Sequence, residues 1–78
     1  MISRDSFLVQ LDEILDQPHG TLTGPERLNE IDRWDSVAMI TFLGMVDEYF
    51  GQSLRPSAVS NCETVEDLYR LATQSIAN

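Results

Sequence analysis

The segment RWDSVAMITFLGMVDEYFG, residues 33–51, holds a helical pattern around which the rest of the chain is read. Advancing about 100° per residue from Ser36, Met39, Phe42, Leu43, Val46, Tyr49 and Phe50 fall on one broad side, the expected core stripe. The other side collects Ser36, Ile40, Thr41, Gly44, Asp47 and Glu48, with Val37 among them. Asp35 is placed to cap the start of this helix and Gly51 to close its end. The anomaly is the apolar pair Val37 and Ile40 on the face expected to meet water. Either the loop before the helix folds over them, or they form a docking strip with Asp47 and Glu48 as its charged rim. In the second case Gly44 leaves room beside the strip.

Two further segments carry the same periodicity. From about Ser3 to Gln17, Phe7, Leu8, Leu11, Ile14 and Leu15 recur at helical spacing. Ser3 is the expected cap, Asp12, Glu13 and Asp16 the solvent face, and the proline and glycine of QPHG the stop. Near the end, TVEDLYRL offers Thr64 as a cap, with Asp67 in place of the usual glutamate of a capping box. Val65, Leu68, Leu71, Ala72 and Ile76 then point inward. Between these lies PSAVS, where Pro56 suits the first turn of a short helix. No segment alternates as a strand does. The expected fold is all-α, a small four-helix bundle with three main helices, one short third helix and a long first loop. It forms a single domain over residues 1–78. Gln17 to Asp35 is long for a connection in a small domain, and Leu22, Leu28, Ile31 and Trp34 are available to pin it.

Composition narrows the function classes. There are 13 acidic residues against 5 basic ones, a formal net charge of -8, and every base is an arginine. Phosphate backbones repel such a chain, which argues against nucleic acid. A partner with a basic surface would complement it, while from composition alone the plainer reading is that the charge keeps a small domain in solution. No apolar run reaches the roughly 20 residues of a membrane span, and MISRDSFLVQLDEI does not read as a secretory signal. A cytoplasmic monomer is the expectation. Cys62 and His19 are each the only residue of their kind, so a cysteine-rich metal site and a Cys-His pair are not expected. His19 reads as a solvated loop residue and Cys62 as a small apolar filler.

Ser36 follows Asp35 at the head of the strip. A phosphate ester there would meet unpaired backbone N–H groups and the positive end of the helix dipole. The plainer reading is a permissive first-turn serine behind its cap. WDSVAMITFLGMVDEYFG, followed by TVEDLYRL about a dozen residues on, resembles the acyl carrier protein family over essentially the whole chain. The resemblance implies 4′-phosphopantetheine attached through Ser36, with Asp35 as the acid that the phosphopantetheinyl transferase recognises. It implies that Val37, Ile40, Asp47 and Glu48 meet partner enzymes. These would be the transferase, an acyl- or aminoacyl-activating ligase, and an acyl-accepting transferase or synthase. The chain itself would tether an acyl or aminoacyl thioester without catalysing a reaction.

Val37 stands where the family usually has leucine, Trp34 where fatty-acid-synthesis carriers have a small residue, and Ala38 and Thr41 where they often have acids. These departures point to a stand-alone carrier of a specialised pathway. Two readings of other classes stay open beside it. One is an unmodified acidic helical interaction module, in which Ser36→Ala changes nothing. The other is a small enzyme with Ser36 as nucleophile, for which His19 is the only imidazole base.

Overall fold

The computed structural model describes residues 3–74. Helix α1, Arg4–Ile14, starts where expected: the Ser6 N–H donates to Ser3 Oγ at 3.2 Å. It stops earlier than the QPHG signal suggested. Asp16 takes a left-handed conformation, φ 58°, so its N–H reaches Glu13 O at 3.1 Å and the Gln17 N–H reaches Asp12 O at 2.8 Å. That pair of bonds is a Schellman closure, made by an aspartate whose short polar side chain tolerates the left-handed region better than most.

The long loop then folds back over the bundle. Leu22 and Leu28 are buried, and Ile31 and Trp34 pack half-buried against the core. A short 3-10 turn, Leu28–Glu30, lies between them. Asp12, expected on the wet face, is instead 0% exposed. Its carboxylate accepts the N–H of Gly20 at 3.0 Å and of Leu22 at 3.2 Å. Asp12 lies only about 40° round the helix from Leu8, on the margin of the apolar stripe, and the returning loop covers that margin.

Helix α2, Ser36–Phe50, ends at Gly51, whose φ of 67° suits a residue without Cβ. Its buried face holds Ala38, Phe42, Met45 and Val46, while Met39, Leu43 and Phe50 are half-buried against the core. Tyr49 departs from the expected stripe and is 42% exposed. It occupies the last turn of α2 and lines a surface furrow with Gln10 and Ile14 of α1 instead of entering the core.

Helix α3, Pro56–Ser60, is the short helix and buries Val59. Helix α4 spans Val65–Gln74 and opens on the expected capping box. The Asp67 N–H donates to Thr64 Oγ1, and the Asp67 carboxylate accepts from Thr64 N, both at 3.2 Å. The first loop supplies the remaining acceptors: Val65 N–H reaches Glu26 O at 3.0 Å and Glu66 N–H reaches Gly24 O at 2.8 Å. Arg4 of α1 closes the joint, bonding the Glu66 carboxylate and Thr23 O. Val65, Leu68 and Ala72 are buried and Leu71 half-buried; Ile76 lies outside the described residues.

At the centre, Phe7 meets Phe42 and Phe50 edge-on at 6.0 Å and Tyr69 at 5.2 Å, and Trp34 meets Phe42 at 5.9 Å. Edge-to-face pairs of this kind stabilise a core beyond their buried area. Among the described residues there is no β-strand, and no helix is long and apolar enough to cross a membrane.

Candidate functional site

The residues singled out at the start of α2 come together on one exposed helix face. Asp35 has extended backbone, and its carboxylate accepts the Ala38 N–H at 2.9 Å while its carbonyl accepts Met39 N–H at 2.9 Å. The amides of Ser36 and Val37 precede the first intrahelical bond. Ser36 is therefore the first helical residue, at the positive end of the dipole. It is exposed, and its hydroxyl makes no hydrogen bond among the described residues.

Val37 and Ile40 are 70% and 68% exposed. The loop does not cover them; its own apolar residues, Leu22, Leu28, Ile31 and Trp34, pack into or against the core instead. Asp47 and Glu48 are exposed and make no ion pair among the described residues. Ser36, Ile40 and Asp47 follow one row down the helix, and Val37, Thr41, Gly44 and Glu48 the adjacent row. The Thr41 hydroxyl donates back to Val37 O at 3.0 Å, so it is already satisfied within the helix.

Sequence reading missed the ground beside this strip. A shallow depression of about 270 Å³ runs from Arg33 and Asp35 past Val37 to Thr41, with Ile14 of α1 as its far wall. Arg33 pairs weakly with Asp16 across exposed surface at 3.4 Å. No histidine lines the depression. His19 is bound to Glu13 at 2.9 Å in the exposed first loop. The Cys62 thiol donates to Ala58 O at 3.6 Å, and burial, helped by the Asp67 carboxylate, pushes its pKa up and keeps it protonated.

Neither a protein-family model, nor a curated protein, nor a solved structure matches the chain.

Proposed function

We propose that the chain is a carrier protein, bearing an acyl or aminoacyl group on 4′-phosphopantetheine esterified to Ser36 and delivering it to partner enzymes. The observation that carries this reading is an exposed serine hydroxyl with no bond of its own, heading a helix face whose Val37 and Ile40 are 70% and 68% exposed. A phosphodiester suits that position, since the free amides of the first turn and the helix dipole both favour an anion.

In the attachment, Ser36 Oγ forms the new P–O bond. The pyrophosphate bond to the nucleotide half of coenzyme A breaks, and the hydroxyl proton passes to a base on the transferase. Asp35 holds the first turn in shape through its bond to Ala38 N–H and presents the remaining acid edge to that enzyme. The bound group supplies a terminal thiol that holds its cargo as a thioester. This chain contributes the tether point and the docking face and performs no catalysis. Val37 and Ile40 give partners an apolar contact, and Asp47 and Glu48 steer basic surfaces toward it. Tethering then raises the cargo's effective concentration at each docked enzyme. The partners are a phosphopantetheinyl transferase, an activating ligase and an accepting transferase or synthase, acting with a cytoplasmic monomer.

Intact mass after incubation with coenzyme A, magnesium and a broad-specificity phosphopantetheinyl transferase tests the proposal. One adduct on the wild type and none on Ser36→Ala is the expected result. A folded wild type that stays unmodified with two such transferases would leave the unmodified interaction module as the better account.

A further inference from the structure

We infer that the furrow between α1 and α2 is the resting site of the carried group, and that it favours an aminoacyl group with an apolar side chain. This rests on the carrier reading above and adds to it a place and a substrate class. The depression beside Ser36 adjoins a larger open furrow of about 550 Å³, with Ile14 and Thr41 common to both linings, and together they mark a path along the helix. Ile14, Met45 and Tyr49 give that furrow apolar lining, and Glu13 and Glu48 are its acids.

Reach fits the path. Gly44 is eight residues beyond Ser36, about 12 Å along the helix axis. A phosphopantetheine arm of about 14 bonds spans roughly 17 Å at the advance per bond of an extended chain. The difference lets the arm cross from the Ser36 row to the Val37 row and set its terminal thioester beside Gly44.

Gly44 has no structural reason of its own. Glycine is the poorest interior helix former after proline, yet a Cβ at Gly44 would meet nothing within 4 Å. No neighbour in the chain excludes a side chain there. What the glycine does is keep the furrow open halfway along. The interior, by contrast, is filled by the chain's own groups: Phe7, Leu11, Phe42 and Leu68 are all 0% exposed.

Charge selects the class. Among the described residues Arg33 is the only cation lining either part of the path; it lies at the Ser36 end between two acids, Asp32 and Asp35, so acids line both parts. Beyond Gly44, Glu48 has no ion pair among the described residues, whereas Glu13, next to Ile14, is bonded to His19 at 2.9 Å. A fatty acyl group would use the apolar lining and leave Glu48 unanswered. The ammonium group of an aminoacyl thioester answers it.

The test uses the full chain, ¹⁵N-labelled, with Ser36 modified by coenzyme A analogues carrying a leucyl or a 4-methylpentanoyl group through a hydrolysis-resistant amide. The two groups share a carbon skeleton and differ only by the amine. The leucyl arm should shift the amides of Gly44, Met45, Glu48 and Tyr49 relative to the unloaded arm. Its docked population should exceed that of the 4-methylpentanoyl arm by roughly two- to fivefold, the range for an exposed charge pair. Glu48→Gln should erase that difference, and Gly44→Leu should abolish the shifts in a protein of unchanged helicity. Equal populations for the two arms would overturn the aminoacyl preference. Shifts confined to residues 35–38, or appearing at Phe7 and Leu68, would overturn the furrow while leaving the carrier standing. Absence of any adduct by mass would remove the carrier reading, and the inference with it.

Discussion

The carboxylate of Asp12, 0% exposed in α1, accepts the backbone N–H of Leu22 ten residues further on at 3.2 Å. Its second oxygen accepts Gly20 N–H at 3.0 Å. One side chain thus anchors the first half of the long loop, and Leu22 enters the core beside it. Asp12→Ala should cost about 2–4 kcal/mol, because it removes a charged acceptor and strands a buried N–H. Asp12→Asn keeps one carbonyl acceptor and should lose about half as much. Urea midpoints of the two variants against wild type decide it. An unaffected Asp12→Ala would mean that burial of Leu22 and Leu28 alone holds the loop.

Two glycines should respond in opposite directions. At Gly24, φ is 128°, and a Cβ would run into the Arg4 guanidinium and crowd the Glu66 carboxylate. Gly24→Ala therefore strains the backbone and displaces the ends of the Arg4 and Glu66 side chains, for an expected loss of about 1–3 kcal/mol that comes mainly from the backbone. Gly44→Ala adds a good helix former into open space and should gain about 0.5–1 kcal/mol. Thermal melts of both variants give the signs directly. A loss at Gly44 would reveal a packing constraint on α2 that the side-chain geometry does not contain.

The elements legible in the sequence were those fixed by neighbours along the chain. Asp35, Gly51 and the Thr64–Asp67 box act within a single turn, so spacing alone located both ends of α2 and the start of α4. The helical period put Val37 and Ile40 on the face away from the core, but whether the loop covered them stayed open until the fold showed them exposed. What stayed hidden depended on distant segments. Asp12 lies on the margin of its stripe, and only the returning loop decides that it is buried. Tyr49 lies within the buried arc by angle, yet borders a furrow because the neighbouring wall is Gln10 and Ile14. That furrow joins residues some thirty positions apart, and no local pattern announces it.

Acid should loosen the joint at the start of α4. Backbone N–H donors from Glu63 and Thr64 hold the Asp67 carboxyl below its ordinary value, and the Arg4 hydrogen bond does the same for Glu66. Burial pushes Glu26 upward, but N–H donors from Thr23 and Gly24 outweigh it. A carboxylate lowered in the folded state contributes stability that is present above its unfolded value and lost as pH falls through the folded one. The contribution should be level from pH 7 to about 5 and fall below about 4.5. Relief of repulsion within a chain of net charge -8 acts the other way. Asp67→Asn shares that relief almost fully while losing its own titration. Urea midpoints from pH 3 to 7 should therefore fall more steeply in wild type than in Asp67→Asn. Parallel curves would remove Asp67 from the account of acid sensitivity.

Val37 and Ile40 separate docking from folding. At 70% and 68% exposed, neither contributes much buried area, so Val37→Asp and Ile40→Asp should each move stability by no more than about 0.5 kcal/mol. Phe42, wholly buried between Phe7 and Trp34, supplies the contrast: Phe42→Ala should lose about 3–5 kcal/mol. Both aspartate variants leave the Ser36 hydroxyl in place, yet each replaces an apolar contact with an unpaired charge at the surface a partner would bury. Transfer from the loaded carrier to an accepting enzyme should fall about tenfold or more, the effect of roughly 1.4 kcal/mol or greater at a contact buried on docking. Circular dichroism and melting temperature report the fold, and thioester turnover reports the docking. If either aspartate variant unfolds, that residue belongs to the core after all. If both fold and transfer normally, partners approach from another face, and the exposed pair is ordinary surface.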